Sequence, residues 1–153
     1  MQEVFSLTMQ SLTPTERNWA KSNQYWALIF IMILHCICIS ETWLSSSISN
    51  DDIELNNFTL YRKDRDNGTS GYGGVAIYVA NYLNSQRRFD LEVNGLEFIC
   101  TEIKVNNKSV LVSMCYRTPA NSGDVRRAFL ENFQVAIDKI KSYDSDIIMT
   151  YLL

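Results

Sequence analysis

Glu41 stands just behind an apolar run, residues 29–39, in the string Ser40-Glu41-Thr42-Trp43-Leu44. A run of that kind reads as a buried strand, and it delivers one carboxylate where the backbone leaves the core. Such a carboxylate suits Mg²⁺, which takes one or two carboxylates and keeps several waters. The same spacing also suits a strand-end glutamate facing solvent. A second feature is Tyr116-Arg117-Thr118-Pro119, at the end of a β-rich run where proline forces a turn. On its own Tyr116 is an ordinary strand-end tyrosine. Arg62 and Arg65 precede Gly71-Tyr72-Gly73-Gly74. Their guanidinium groups, like that of Arg117, suit phosphate, although charged loops are commonly just solvated. The glycines let the backbone bend or approach closely. With no Lys-Ser/Thr after them they form no phosphate-cradling P-loop.

The remaining reactive types carry less. His35 is the only histidine; it lies in an apolar stretch before Glu41 and reads as a core or boundary residue. Cys36, Cys38, Cys100 and Cys115 have no C-x-x-C or Cys/His spacing for zinc. They read as small buried hydrophobes in a reducing compartment.

The elements that must position these groups follow from periodicity. Thr13-Pro14-Thr15-Glu16 offers an N-cap, a first-turn proline and a capping-box glutamate, which predicts a helix towards residue 30. Phe58-Thr59-Leu60-Tyr61-Arg62 alternates apolar and polar, a half-buried strand. Asp66-Asn67-Gly68 and Ser70-Gly71 are turn signals, and residues 74–80 close a hairpin. Residues 98–105 and 110–116 form a second pair, joined at Asn106-Asn107-Lys108. Val125, Phe129, Phe133, Ile137 and Ile140 then recur at helical spacing, one face of a helix over 124–142. Asp146-Ile147-Ile148-Met149-Thr150 is a further buried strand. Strands with a helix packed outside them predict a layered α/β sandwich.

Taken in order, Ser-Glu-Thr-Trp-Leu at 40–44, the Arg-rich hairpin with its Gly-rich strand, and Tyr-Arg-x-Pro at 116–119 resemble the endonuclease/exonuclease/phosphatase superfamily. Within it they are most similar to the endonuclease domain of non-long-terminal-repeat retrotransposons, which is encoded with a reverse transcriptase. The resemblance covers residues 37–150. It implies an α/β (α+β) fold, a partial four-layer α/β/β/α sandwich with mixed, mainly antiparallel sheets. It implies a Mg²⁺-dependent DNA endonuclease, with Glu41 as metal ligand, Trp43 packed beneath the site and Tyr116 contacting the scissile phosphate. Arg62, Arg65 and Arg117 become candidate contacts to DNA phosphates.

The departures from the family pattern are specific. Thr8 stands where the family has an Asn, so residues 1–30 read as a divergent or replaced segment and 31–153 as the front half of the domain. After Thr150 the family continues with Gly-Asp-Phe-Asn and later Ser-Asp-His; here the sequence reads Tyr151-Leu152-Leu153. A truncated, inactive endonuclease is therefore expected, with weak or no Mg²⁺ binding and self-association through an uncovered core face.

At 153 residues one domain is the default. The net charge of −3 provides no global basic field, which excludes a DNA-coating protein but not a nuclease, whose positive charge is local. No small-molecule cofactor is indicated. The alternative is a non-catalytic vestigial or interaction protein, with residues 26–39 as a candidate membrane anchor. That run is interrupted by His35 and is shorter than the ~20 residues of a spanning helix. An intracellular protein, nuclear or cytoplasmic, is therefore expected.

Overall fold

Val75-Ala76-Ile77-Tyr78-Val79-Ala80 is apolar at nearly every position, and the strand it forms is buried along its whole length. It is the centre of a three-stranded sheet in the order β1-β3-β2, with β1 at Cys36–Ser40, β2 at Phe58–Lys63 and β3 at Val75–Ala80. β2 and β3 are the expected antiparallel hairpin, from Phe58 opposite Ala80 to Lys63 opposite Val75. This computed structural model describes residues 35–65, 72–105, 108–117, 119, 122–143 and 145–152, the last three by backbone only. The helix expected before residue 30, the boundary at 30/31 and most of the 29–39 run lie outside them. The chain divides into two compact units, Met1–Ile37 and Cys38–Leu153, and nearly all described residues fall in the second.

A second sheet runs β4-β5-β6-β7. Its strands are β4 (Asn84–Arg87), β5 (Glu97–Val105), β6 (Lys108–Tyr116) and β7 (Asp146–Leu152). The β5–β6 hairpin pairs Glu97 with Tyr116 at one end and Val105 with Lys108 at the other. β7 runs parallel to β6, pairing Val110 with Asp146 and Tyr116 with Leu152. Because strand side chains alternate, Phe98, Cys100, Leu111 and Cys115 share the outer face. Ile99, Ile103, Val110 and Val112 share the inner one, where β3 meets β5 and β6.

The helix α1 spans Gly123–Lys141, started by Ser122, whose side chain accepts from the Val125 N–H. It covers the outer face: Ala136 and Ile140 pack with Leu91, Leu96, Phe98, Cys100, Leu111 and Cys115, flanked by Phe129 and Phe133. Sheet, sheet and helix are three layers of a partial α/β/β/α sandwich, the expected class of fold.

Three expectations need correction, and one strand, β4, was not foreseen. The described end of the apolar run is an edge strand: Cys38 is buried, Ile37 and Ile39 are exposed and Cys36 is half-buried. β7 is likewise an edge strand, with Ile147 exposed rather than buried. On α1, Val125 is exposed and Ala136 takes a core position, because the helix turns its last three turns, not its first, onto the sheet. β4 carries no apolar residue, and pairing with β5 alone makes it a strand. Among the described residues no helix is long and apolar enough to cross a membrane.

Candidate active site

β1 ends at Ser40, and the next residues leave the sheet in an unusual backbone conformation. Glu41 and Trp43 have φ of 53° and 56°, a left-handed region that costs a side-chain-bearing residue ~1–3 kcal/mol. The segment is held there by β3's approach loop. Thr42 N–H donates to the Gly74 carbonyl at 3.2 Å, and Trp43 N–H to that of Gly73 at 2.9 Å. Both glycines have positive φ. A Cβ on Gly74 would lie 2.5 Å from Thr42 Oγ1; one on Gly73 would lie 2.5 Å from Arg65 Cζ and 2.6 Å from Glu97 Oε2. The glycine-rich strand start is thus a close-packing device, as its composition suggested.

The result brings Glu41 to Tyr116. The Tyr116 hydroxyl donates to Glu41 Oε1 across 75 residues of sequence. Tyr116 is buried on the inner face. Burial, then the bond to Glu41 and its negative charge, push its phenol up to about 12. At neutral pH it is therefore a hydrogen-bond donor and not a phenolate. Glu41 is exposed, and its Oε2 has no partner among the described residues.

Glu97, directly opposite Tyr116 on β5, closes the arrangement. Its Oε2 accepts from the Gly74 N–H at 2.6 Å, and its Oε1 receives Arg65. The Arg65 guanidinium in turn lies 5.8 Å from the Tyr116 ring centroid. Glu41, Tyr116, Arg65, Glu97, Gly74 and Thr42 form one closed ring of contacts. Sequence reasoning passed over Glu97, since a lone glutamate at a strand start carries no pattern.

The arginines behave differently from one another. Arg62 donates to the carbonyl of Ile48 at 2.8 Å and pairs with Asp64 at 3.3 Å, so it braces the loop after Trp43. Arg65 is neutralised by Glu97. Arg117 rests over Phe129 at 6.0 Å, beside a cleft of about 240 Å³ that Arg126, Asn132, Glu97 and Tyr116 also line. Trp43 does not lie beneath the site: it is 58% exposed and meets Tyr72 edge-on. His35 is half-buried. Cys100 and Cys115 are buried thiols that burial pushes up to about 11 and 12, which keeps them inert.

No group of three His, Cys, Asp or Glu that could hold a metal occurs among the described residues. Asp146 lies at the far end of β7 from Tyr116. The open Oε2 of Glu41, with Oε1 oriented by Tyr116, fits a Mg²⁺ ion that takes one carboxylate from protein and its other oxygens from water or phosphate.

No protein-family profile matches the chain, and no curated protein does. Solved structures do. The crystal structure of humanized D. rerio TDP2 carrying 14 mutations is 10% identical, with a TM-score of 0.51 over 82% of this chain and 55% of that one. The human Nocturnin catalytic domain with bound sulfate is 15% identical over 93% of this chain and 58% of that one, with a TM-score of 0.46. This chain thus spans little more than half the length of either. Its fold is of the endonuclease/exonuclease/phosphatase type.

Proposed function

We propose that this chain carries the Glu/Tyr half of a Mg²⁺-dependent phosphodiester-cleaving site, from a DNA endonuclease of retrotransposon type. The observation that carries this reading is the hydrogen bond from Tyr116 to Glu41, two residues picked out on separate motifs. Glu41 would hold the cation, which when bound polarises a phosphoryl oxygen. Tyr116, kept protonated, offers its hydroxyl to a phosphate oxygen once a ligand competes for Glu41. Glu97 neutralises Arg65 and fixes it beside the Tyr116 ring. Arg117 and Arg126 supply local positive charge along the cleft, a more open position than those of Arg62 and Arg65.

Hydrolysis also needs an oriented water and a proton donor for the leaving oxygen. The strings to which the resemblance assigns those tasks, Gly-Asp-Phe-Asn and Ser-Asp-His, do not occur in this sequence. We therefore assign the 153-residue chain no strand-cleaving activity by itself. Incubation with supercoiled plasmid over a range of Mg²⁺ and Mn²⁺ should leave it intact. Nicking that Glu41→Gln abolishes would overturn this. Fusion to the C-terminal half of a retrotransposon endonuclease should give nicking that requires Glu41 and Tyr116. Nicking indifferent to both, or none, would remove the phosphodiester reading.

A further inference from the structure

Trp43 and Tyr72 are the large aromatic side chains beside this site that the proposed chemistry does not use. Their ring centroids lie 5.2 Å apart with the planes at 67°, and each residue is more than half exposed, 58% and 59%. Burying these rings would be the ordinary outcome for the two aromatics with the largest apolar faces in the segment. Instead the chain accepts a left-handed backbone at Trp43 and locks it with the bond to the Gly73 carbonyl. Tyr72 is the neighbour of that same Gly73. The rings therefore make a fixed, solvent-facing corner, set two residues from Glu41 and next to the glycine that abuts Arg65 and Glu97.

We propose that this corner stacks an unpaired nucleobase, so that the site engages a strand at an unstacked nucleotide, such as underwound supercoiled DNA exposes, and not within relaxed, fully stacked duplex. The inference rests on the phosphodiester reading of Glu41 and Tyr116, and it specifies the substrate. Within a nucleotide the base lies a few ångströms from its phosphate, which matches a stacking surface beside a phosphate site. Every base presents a π-face, so stacking on exposed aromatics is tolerant of sequence. In a duplex those faces are already covered by neighbouring base pairs. With a net charge of −3, backbone attraction alone is weak, and base stacking is the contact that would retain a strand.

The test is fluorescence anisotropy of the full chain with a labelled oligothymidylate in EDTA, against an abasic deoxyribose-phosphate strand of equal length and a blunt duplex. Native protein should favour the base-bearing single strand. Trp43→Leu and Tyr72→Leu should each weaken it about tenfold and leave the abasic strand unaffected. Trp43→Phe, which keeps a stacking face, should restore most of the affinity; simple packing would not separate Phe from Leu in this way. Equal losses on both strands, no loss, preference for duplex, or no binding by native protein each overturn the proposal. Its failure is separable from that of the phosphodiester reading. Glu41-dependent nicking by the fused protein without Trp43-dependent binding sinks the stacking corner alone; the reverse result sinks the phosphodiester reading alone.

Discussion

Glu97 and Tyr116 face each other as a cross-strand pair at the open end of the β5–β6 hairpin, on the inner face of the four-stranded sheet. Neither side chain is idle there. Tyr116 reaches Glu41 and Glu97 reaches the Gly74 amide and Arg65, so one rung of one hairpin ties down three points flanking the other sheet's strands, after β1, before β3 and after β2.

The Tyr116 phenol should ionise late. Its folded-state value is raised to about 12, above the ~10 of a free tyrosine. The proton is thus held more tightly when folded. Its contribution to stability is present below pH ~10 and lost as pH rises towards 12. A difference titration of tyrosinate absorbance, native minus Tyr116→Phe, should show one group ionising above pH 11. A group ionising near 10 would contradict the burial of Tyr116 beside Glu41.

Gly74→Ala should destabilise the fold by ~2 kcal/mol or more, since Ala is strained at positive φ and its Cβ would press on Thr42 Oγ1. Urea melts would measure it. Pairing with Thr42→Ala, which removes the obstructing hydroxyl, should recover part of the loss.

Arg88 is buried and pairs with Glu102 at 3.2 Å and Asp90 at 2.7 Å. Arg88→Met leaves Glu102 without its cationic partner and should cost ~3 kcal/mol, read by the same melts. Hydrogen bonds from Ser109 and Gln86, then Arg88, hold Glu102 below the ordinary carboxylate range. Its contribution is therefore present above the free-glutamate value of ~4.3 and lost as pH falls through the depressed one. The native chain should lose more stability on acidification than Glu102→Gln.

Calorimetric titration with Mg²⁺ should give no saturable millimolar site that disappears in Glu41→Ala, because one carboxylate lacks the supporting donors that raise affinity. Such a site would identify a further ligand.

Much of the architecture was legible, and the reasons are local. The alternation in β2, the apolar β3 and the β5–β6 pair are written in consecutive residues, and α1 in the helical spacing of Phe129, Phe133, Ile137 and Ile140. β4 was not, because Asn84-Ser85-Gln86-Arg87 has strand geometry only through its partner. Trp43 was misread because the family resemblance implied packing beneath the site, whereas here its backbone has positive φ and its ring is exposed. The meeting of Glu41 and Tyr116 came from motif resemblance alone, for no local period links residues 75 apart.

That separation bears on the order of folding. The β5–β6 hairpin closes a short loop, whereas the contacts of Glu41 with Tyr116 and of Arg65 with Glu97 join segments 75 and 32 residues apart. Short loops close at lower entropic cost and form first. The ring around Glu41 is thus a late event, completed as the two sheets dock. Substitutions within it should then speed unfolding while leaving the refolding rate nearly unchanged, which makes the site a kinetic latch on the assembled sandwich.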